Sequence, residues 1–355
     1  MITKIIDVDL AHLKNSENDI KYAAEVIKRG GLVAFPTETV YGLGGDGTNP
    51  DAAKAIYAAK GRPSDNPLII HIADPSDAEL YTYTSDVYYS LAERFMPGPL
   101  TVVLKARESV PMETRGGLST VAVRCPSHPV ANRLIALSGR PIAAPSANLS
   151  GSPSPTSASH VIDDMQGRID VIISGGDCEI GLESTIVKIE DDGSLTLLRP
   201  GRVTVDELAC VAPVTLAGAV TDRLAEGAVA LSPGMKYRHY APEAPLVLLD
   251  GDIESVIGYI KDEDLSGAAV ICYTEQETTV KNALPQSHIF LLGASDDISE
   301  QARNLFAILR EADKHCFSKI YAPLPTKDGV GLALYNRMIR AAAHTVINLR
   351  QDNNG

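Results

Sequence analysis

Strand-like apolar runs alternate with helix-like segments from about residue 20 to residue 199. Residues 31–35, 68–72, 101–105, 121–124, 141–144 and 171–174 carry the β-branched and apolar side chains of short buried strands. Helix signals fall between them. Asn49-Pro50-Asp51 supplies a capping side chain and a proline suited to the first helical position, and Gly61 is placed to close that helix. Ser127-His128-Pro129 opens another helix, which ends near Gly139. Two apolar runs, 185–190 and 195–199, flank Asp191-Asp192-Gly193-Ser194, a hairpin signal. The pattern predicts an α/β fold whose strands are not all parallel.

After Pro245 the alternation resumes, with strands expected at 245–249, 268–273, 288–292 and 319–321 and helices at 252–261, 299–315 and 331–344. This predicts a second, smaller α/β domain. It carries no GxGxxG or GxxxxGK[ST] sequence, so no standard nucleotide loop is assigned to it. The division expected is a catalytic domain over 15–205, a linker over 206–245 and a C-terminal domain over 246–350. The linker contains Met235-Lys236-Tyr237-Arg238-His239-Tyr240, too rich in large polar and aromatic side chains for a tether chosen only for flexibility.

The chain has 355 residues, and 45% hydrophobic and 22% charged positions allow each domain a real core. A net charge of −13, few aromatics and no Trp weigh against a surface devoted to nucleic acid. The five cysteines, Cys125, Cys178, Cys210, Cys272 and Cys316, include no CxxC pair, which points to buried, reduced thiols and no metal site. Neither a signal peptide nor a membrane-spanning helix is expected, and the protein reads as cytoplasmic.

Candidate chemistry concentrates between Phe35 and His71. Thr37, Glu38 and Thr39 follow a strand, and Gly42, Gly44 and Gly45 next to them would let a ligand approach the backbone. Lys60 and Arg62 stand at a helix end, a point charge and a planar fork suited to phosphate, or simply cations offsetting the helix dipole. Arg124, at the exit of a strand, suits either a carboxylate ligand or an ion pair. Ser146 and Asn148 open a Ser/Pro loop, Ser184 and Thr185 lie in GLEST, and His71 by itself reads as a core histidine. No nucleophile elbow, Ser/His/Asp order or HExxH motif is present.

Seven motifs stand in order: PTETVYGLG, KGRPSDNPL, PGPLT, VAVRCPSHP, APSAN, GLESTIV and LLRPG. Together they resemble the threonylcarbamoyl-AMP synthases of the YrdC/Sua type, strongly over about residues 15–205. PGMKYRHYAP resembles the linker of the long two-domain form. The resemblance implies a YrdC-like open twisted mixed sheet with flanking helices and a smaller Rossmann-like C-terminal domain on an ordered linker. It implies a nucleotidyltransferase that joins L-threonine, bicarbonate and ATP into threonylcarbamoyl-adenylate and pyrophosphate. A separate transferase complex then modifies tRNA, so a weak contact with tRNA or double-stranded RNA is also implied. Carried over, Thr39, His71, Arg124, Ala144 and Ser184 hold threonine. Arg62, Asn66, Thr120, Ser146, Ser154, Arg199 and the linker's Tyr237 hold ATP. Lys60 and Arg62 act on the phosphates, and Mg2+ arrives with ATP. Such chemistry needs orientation and charge neutralisation rather than a nucleophilic side chain. Two other readings are a carbamoyl-adenylate module of hydrogenase maturation factors, whose zinc-finger cysteines are absent here, and an RNA-binding translation or ribosome-assembly factor.

Overall fold

A computed structural model describes residues 1–221, 240–263 and 267–350. The chain divides into two compact units. One comprises Met1–Ser150 and Ser154–Tyr237, the other Gly151–Pro153 and Arg238–Gly355. Tyr237 and the rest of residues 222–239 of the expected linker lie outside the described residues.

The strands of the first unit are β1 (Lys4–Asp7), β2 (Val33–Phe35), β3 (Gly42–Asp46), β4 (Ile69–His71), β5 (Leu100–Lys105), β6 (Thr120–Arg124), β7 (Ile142–Ala143), β8 (Val171–Ser174), β9 (Thr185–Ile189), β10 (Leu195–Arg199) and β11 (Val214–Leu216). They form a mixed sheet in the order β1-β8-β2-β3-β7-β4-β6-β5-β9-β10-β11. The predicted strands and hairpin are present with ends moved by a residue or two. Two ends of the unit were not foreseen. β1 pairs with β8 ahead of the expected start at residue 15. The stretch expected to open the linker instead forms helix Val205–Ala209 and β11, which pairs with β10.

The glycine run behaves differently from its reading as a ligand loop. Gly42–Asp46 is a buried central strand, antiparallel to both β2 and β7. A Cβ on Gly44 would lie 2.6 Å from Ile142 and 2.7 Å from the Phe35 ring. The glycines let side chains of the flanking strands close over β3, which is a packing role.

Helix Pro50–Lys60 follows its sequence signals. Asn49 accepts from the Asp51 N–H, and Gly61 closes the helix at φ +61°. This leaves Lys60 in the last turn with Arg62 just past it. Helices Glu17–Lys28 and Pro129–Ser138 lay Ile20, Ile27, Leu134 and Ile135 on Val33, Phe35, Val171 and Ile173, forming one core of the unit.

The second unit holds β12 (Leu246–Asp250), β13 (Ala268–Cys272), β14 (His288–Leu291), β15 (Lys319–Pro323) and β16 (Val346–Asn348), all parallel, in the order β14-β13-β15-β12-β16. Helices Ile253–Lys261, Ile298–Asp313 and Gly331–Ala341 match the expected ones, while Glu277–Ala283 and β16 were not foreseen. Tyr240, the last residue of the MKYRHY segment, is buried and stacks on Phe306 with ring centroids 5.3 Å apart. Cys125, Cys178 and Cys272 are buried as expected, but Cys210 and Cys316 are exposed.

Candidate functional site

Strand pairing in the first unit sets its chemistry-bearing residues into two clusters. β4 and β6 run parallel with His71 opposite Arg124, and β5 runs antiparallel to β6 with Thr101 opposite Arg124. Thr101 shares a 2.8 Å hydrogen bond with the Ser184 hydroxyl. Arg199 donates to the same hydroxyl at 3.2 Å and, through Nε, to the Ser184 carbonyl at 3.0 Å. Gly201 allows this approach, because a Cβ there would lie 2.4 Å from the Thr185 nitrogen. The loop from Thr37 to Val40 lies alongside. Its Thr37 and Thr39 hydroxyls are 2.9 Å apart, and the Glu38 and Thr39 carbonyls accept from Ile180 and Gly181. Ser154 donates to Glu183 at 2.5 Å, and Pro155 accepts from the Tyr41 N–H of that loop's continuation.

The electrostatics of this first cluster are set by burial. Arg124 Nη2 lies 2.8 Å from Glu38 Oε1, with side-chain exposures of 5% and 6%. Arg124 Nε donates to the Gly98 carbonyl at 3.4 Å. Burial raises the Glu38 pKa, but the Arg124 charge outweighs it, and the carboxyl stays below its usual range. Burial, reinforced by Arg124, pushes His71 down to about 3, so its ring is neutral at physiological pH.

The second cluster lies toward the opposite ends of the same strands. Lys60 is buried and donates to the Ser146 and Asn148 carbonyls and, at 3.3 Å, to Asn148 Oδ1. Ser146 Oγ in turn donates to Asn148 Oδ1. Arg62 Nη2 donates to the Asn66 and Pro67 carbonyls at 3.0 and 3.1 Å. Asn66 is fully buried, yet neither amide atom has a hydrogen-bond partner among the described residues. An amide desolvated in this way costs stability unless a ligand completes it. Thr120 opens β6 across from Lys105. It stands four residues from Arg124, about 13 Å at the rise of an extended strand.

The expected threonine residues Thr39, His71, Arg124 and Ser184 thus belong to the first cluster. Ala144, whose N–H donates to the Ile69 carbonyl, falls between the two. The expected ATP residues divide. Arg62, Asn66, Thr120 and Ser146 lie in the second cluster with Lys60, while Arg199 and Ser154 lie in the first. Sequence reasoning gave no role to Thr101, Glu183 or Gly201, although PGPLT, GLEST and LLRPG contain them. Glu38 was noted only as part of a polar triplet.

A family model described as "Telomere recombination" (Sua5_yciO_yrdC) matches residues 25–201, and one described as "Threonylcarbamoyl-AMP synthase, C-terminal domain" matches 203–343. The threonylcarbamoyl-AMP synthase of Pyrococcus abyssi is 43% identical, covering 93% of this chain and 96% of its own. That of Bacillus subtilis is 42% identical, covering 98% and 100%. A crystal structure of P. abyssi Sua5 complexed with L-threonine matches with a TM-score of 0.87 at 41% identity, covering 99% of this chain and all of that one.

Proposed function

This chain belongs to the threonylcarbamoyl-AMP synthase family, and from that premise we propose how its two clusters divide the substrates. The family reaction joins L-threonine, bicarbonate and ATP into L-threonylcarbamoyl-adenylate and pyrophosphate. The observation that carries the division is the opposition of Arg124, His71 and Ser184 at one end of the strands to Lys60, Arg62, Asn66 and Ser146 at the other.

Threonine binds at the first cluster. Arg124 takes its carboxylate in charge-assisted hydrogen bonds. The neutral His71 ring, Thr39 and Ser184 surround the amino acid without adding charge, and Ala144 forms the floor. Arg199, already held against Ser184, steadies that side and reaches the nucleotide. ATP binds with its triphosphate at the second cluster. Asn66 and Ser146 supply hydrogen bonds, Arg62 supplies charge, and Lys60 fixes the Ser146–Asn148 loop while its field acts on the phosphates. Thr120, Ser154 and Tyr237 complete the nucleotide contacts.

The neutral threonine amine adds to carbon dioxide with loss of a proton to solvent, or to bicarbonate with loss of water, to form a carbamate. A carbamate oxygen then attacks the α-phosphorus, and pyrophosphate leaves with the negative charge that Lys60 and Arg62 offset. These residues orient and neutralise, which is where phosphoryl-transfer catalysis lies. Mg2+ enters on the triphosphate as part of the substrate. Among the described residues no three acidic, His or Cys side chains gather to hold an ion. The adenylate passes to a tRNA threonylcarbamoyl transferase complex, with at most a weak RNA contact here, and the protein works in the cytoplasm. Among the described residues no helix is long and apolar enough to cross a membrane.

Purified protein with bicarbonate and no tRNA should release pyrophosphate from ATP only when threonine is added. Tight RNA binding without pyrophosphate release would replace this reading with that of a translation or ribosome-assembly factor.

A further inference from the structure

Glu38 has no task in the division above, yet it is the acid placed against Arg124. Its main chain is pinned by the Ile180 N–H, and its carboxylate lies at ion-pair distance from a guanidinium equally buried. The pair is close but not aligned as a hydrogen bond. Both Glu38 oxygens and Arg124 Nη2 lack hydrogen-bond partners among the described residues. A buried pair of this kind gives little net stability, because desolvation offsets the attraction. Its effect on the cluster is instead on charge. Glu38 offsets the charge of Arg124.

The rest of the cluster keeps that balance. His71 is neutral, and a second buried carboxylate, Glu183, precedes the Ser184 to which Arg199 donates. In the other cluster Lys60 and Arg62 donate to main-chain carbonyls. An uncompensated buried arginine would bind any anion in reach, and this cleft must handle polyanions. A zwitterion, with one charge of each sign, suits a balanced site. An anion does not.

We propose that Glu38 is a specificity-determining residue that balances Arg124, so that this end of the cleft admits a zwitterionic amino acid and rejects pyrophosphate and deaminated hydroxy acids. The inference rests on the reading of Arg124 as the threonine carboxylate site. It is tested with Glu38→Gln, which keeps shape and removes charge, and Glu38→Asp, which keeps charge. The probes are inorganic pyrophosphate and 2,3-dihydroxybutanoate, threonine without its ammonium, each assayed as an inhibitor competing with threonine.

Removing one charge at close range should raise the threonine KM about tenfold in Glu38→Gln and make both anions tighter inhibitors by a similar factor, with the ATP KM little changed. Glu38→Asp should retain discrimination. Unchanged selectivity between threonine and 2,3-dihydroxybutanoate in Glu38→Gln overturns the inference. If that variant fails to fold, the wild-type enzyme still decides, since equal affinity for the hydroxy acid and threonine is incompatible with a balanced site. Arg124→Gln separates the two levels. A threonine KM unmoved by Arg124→Gln removes the underlying reading. A raised one, with selectivity unmoved in Glu38→Gln, removes only this inference.

Discussion

The two clusters of the first unit set their cations against different partners. At one end Arg124 faces Glu38 at 2.8 Å, Arg199 is tied to Ser184 next to Glu183, and His71 is held neutral. At the other, Lys60 and Arg62 donate to main-chain carbonyls. On the proposed division, one end of the sheet takes the amino acid and the other the triphosphate. Along β6, Thr120 and Arg124 are separated by about 13 Å of extended strand.

The sharpest way to break the comparison is Arg124→Gln. Loss of charge-assisted hydrogen bonds worth about 3 kcal/mol should raise the threonine KM about 100-fold. The ATP KM should hardly move, and initial rates over a grid of both substrates give the split. Equal effects on the two substrates would erase the division. Arg62→Ala should do the converse, raising the ATP KM or lowering kcat by tens of fold, with the melting temperature kept within a few degrees because no core is lost. An unchanged rate removes Arg62 from the site.

A smaller effect is expected from Gly201→Ala. A new Cβ 2.4 Å from the Thr185 nitrogen and 2.8 Å from the Ser184 carbonyl carbon must displace the main chain carrying Ser184. The threonine KM should rise several-fold, with a loss of about 1–3 kcal/mol in denaturant unfolding. Wild-type stability and affinity would show that β9 and β10 relax apart without moving Ser184.

The smallest effect is on acid stability. His71 has a folded-state pKa of about 3 against an ordinary 6.5, so the unfolded chain binds more protons between these values. Stability therefore falls as pH falls below about 6.5. Glu38, also depressed, adds a further loss below its ordinary 4.5. His71→Asn should flatten the upper part of that slope, from pH 6.5 to 5, in urea melts at fixed salt. An unaltered slope would mean that the ring is not the group that stays neutral.

Much of this could be read along the chain where the signal is local. Helix Pro50–Lys60 was legible because Asn49, Pro50 and Gly61 act within one turn of its ends. Val171–Ser174 was legible as an unbroken apolar run. β3 was not, because glycines have no side chains to carry a period of two, and their role depends on Phe35 and Ile142 from other strands. Similarly, motif order identified Arg124, Ser184 and Arg199 but assigned Arg199 only to the nucleotide, whereas its hydrogen bonds tie it to Ser184.

The sequence by itself determined the α/β class, the caps that place Lys60 and Arg62, and the family. Each depends on neighbouring residues or on the order of motifs. Only the tertiary structure decided which charges meet. Glu38 and Arg124, or Thr101 and Ser184, are distant in sequence and brought together by strand register. Charge balance in a buried site is a property of distances across the sheet.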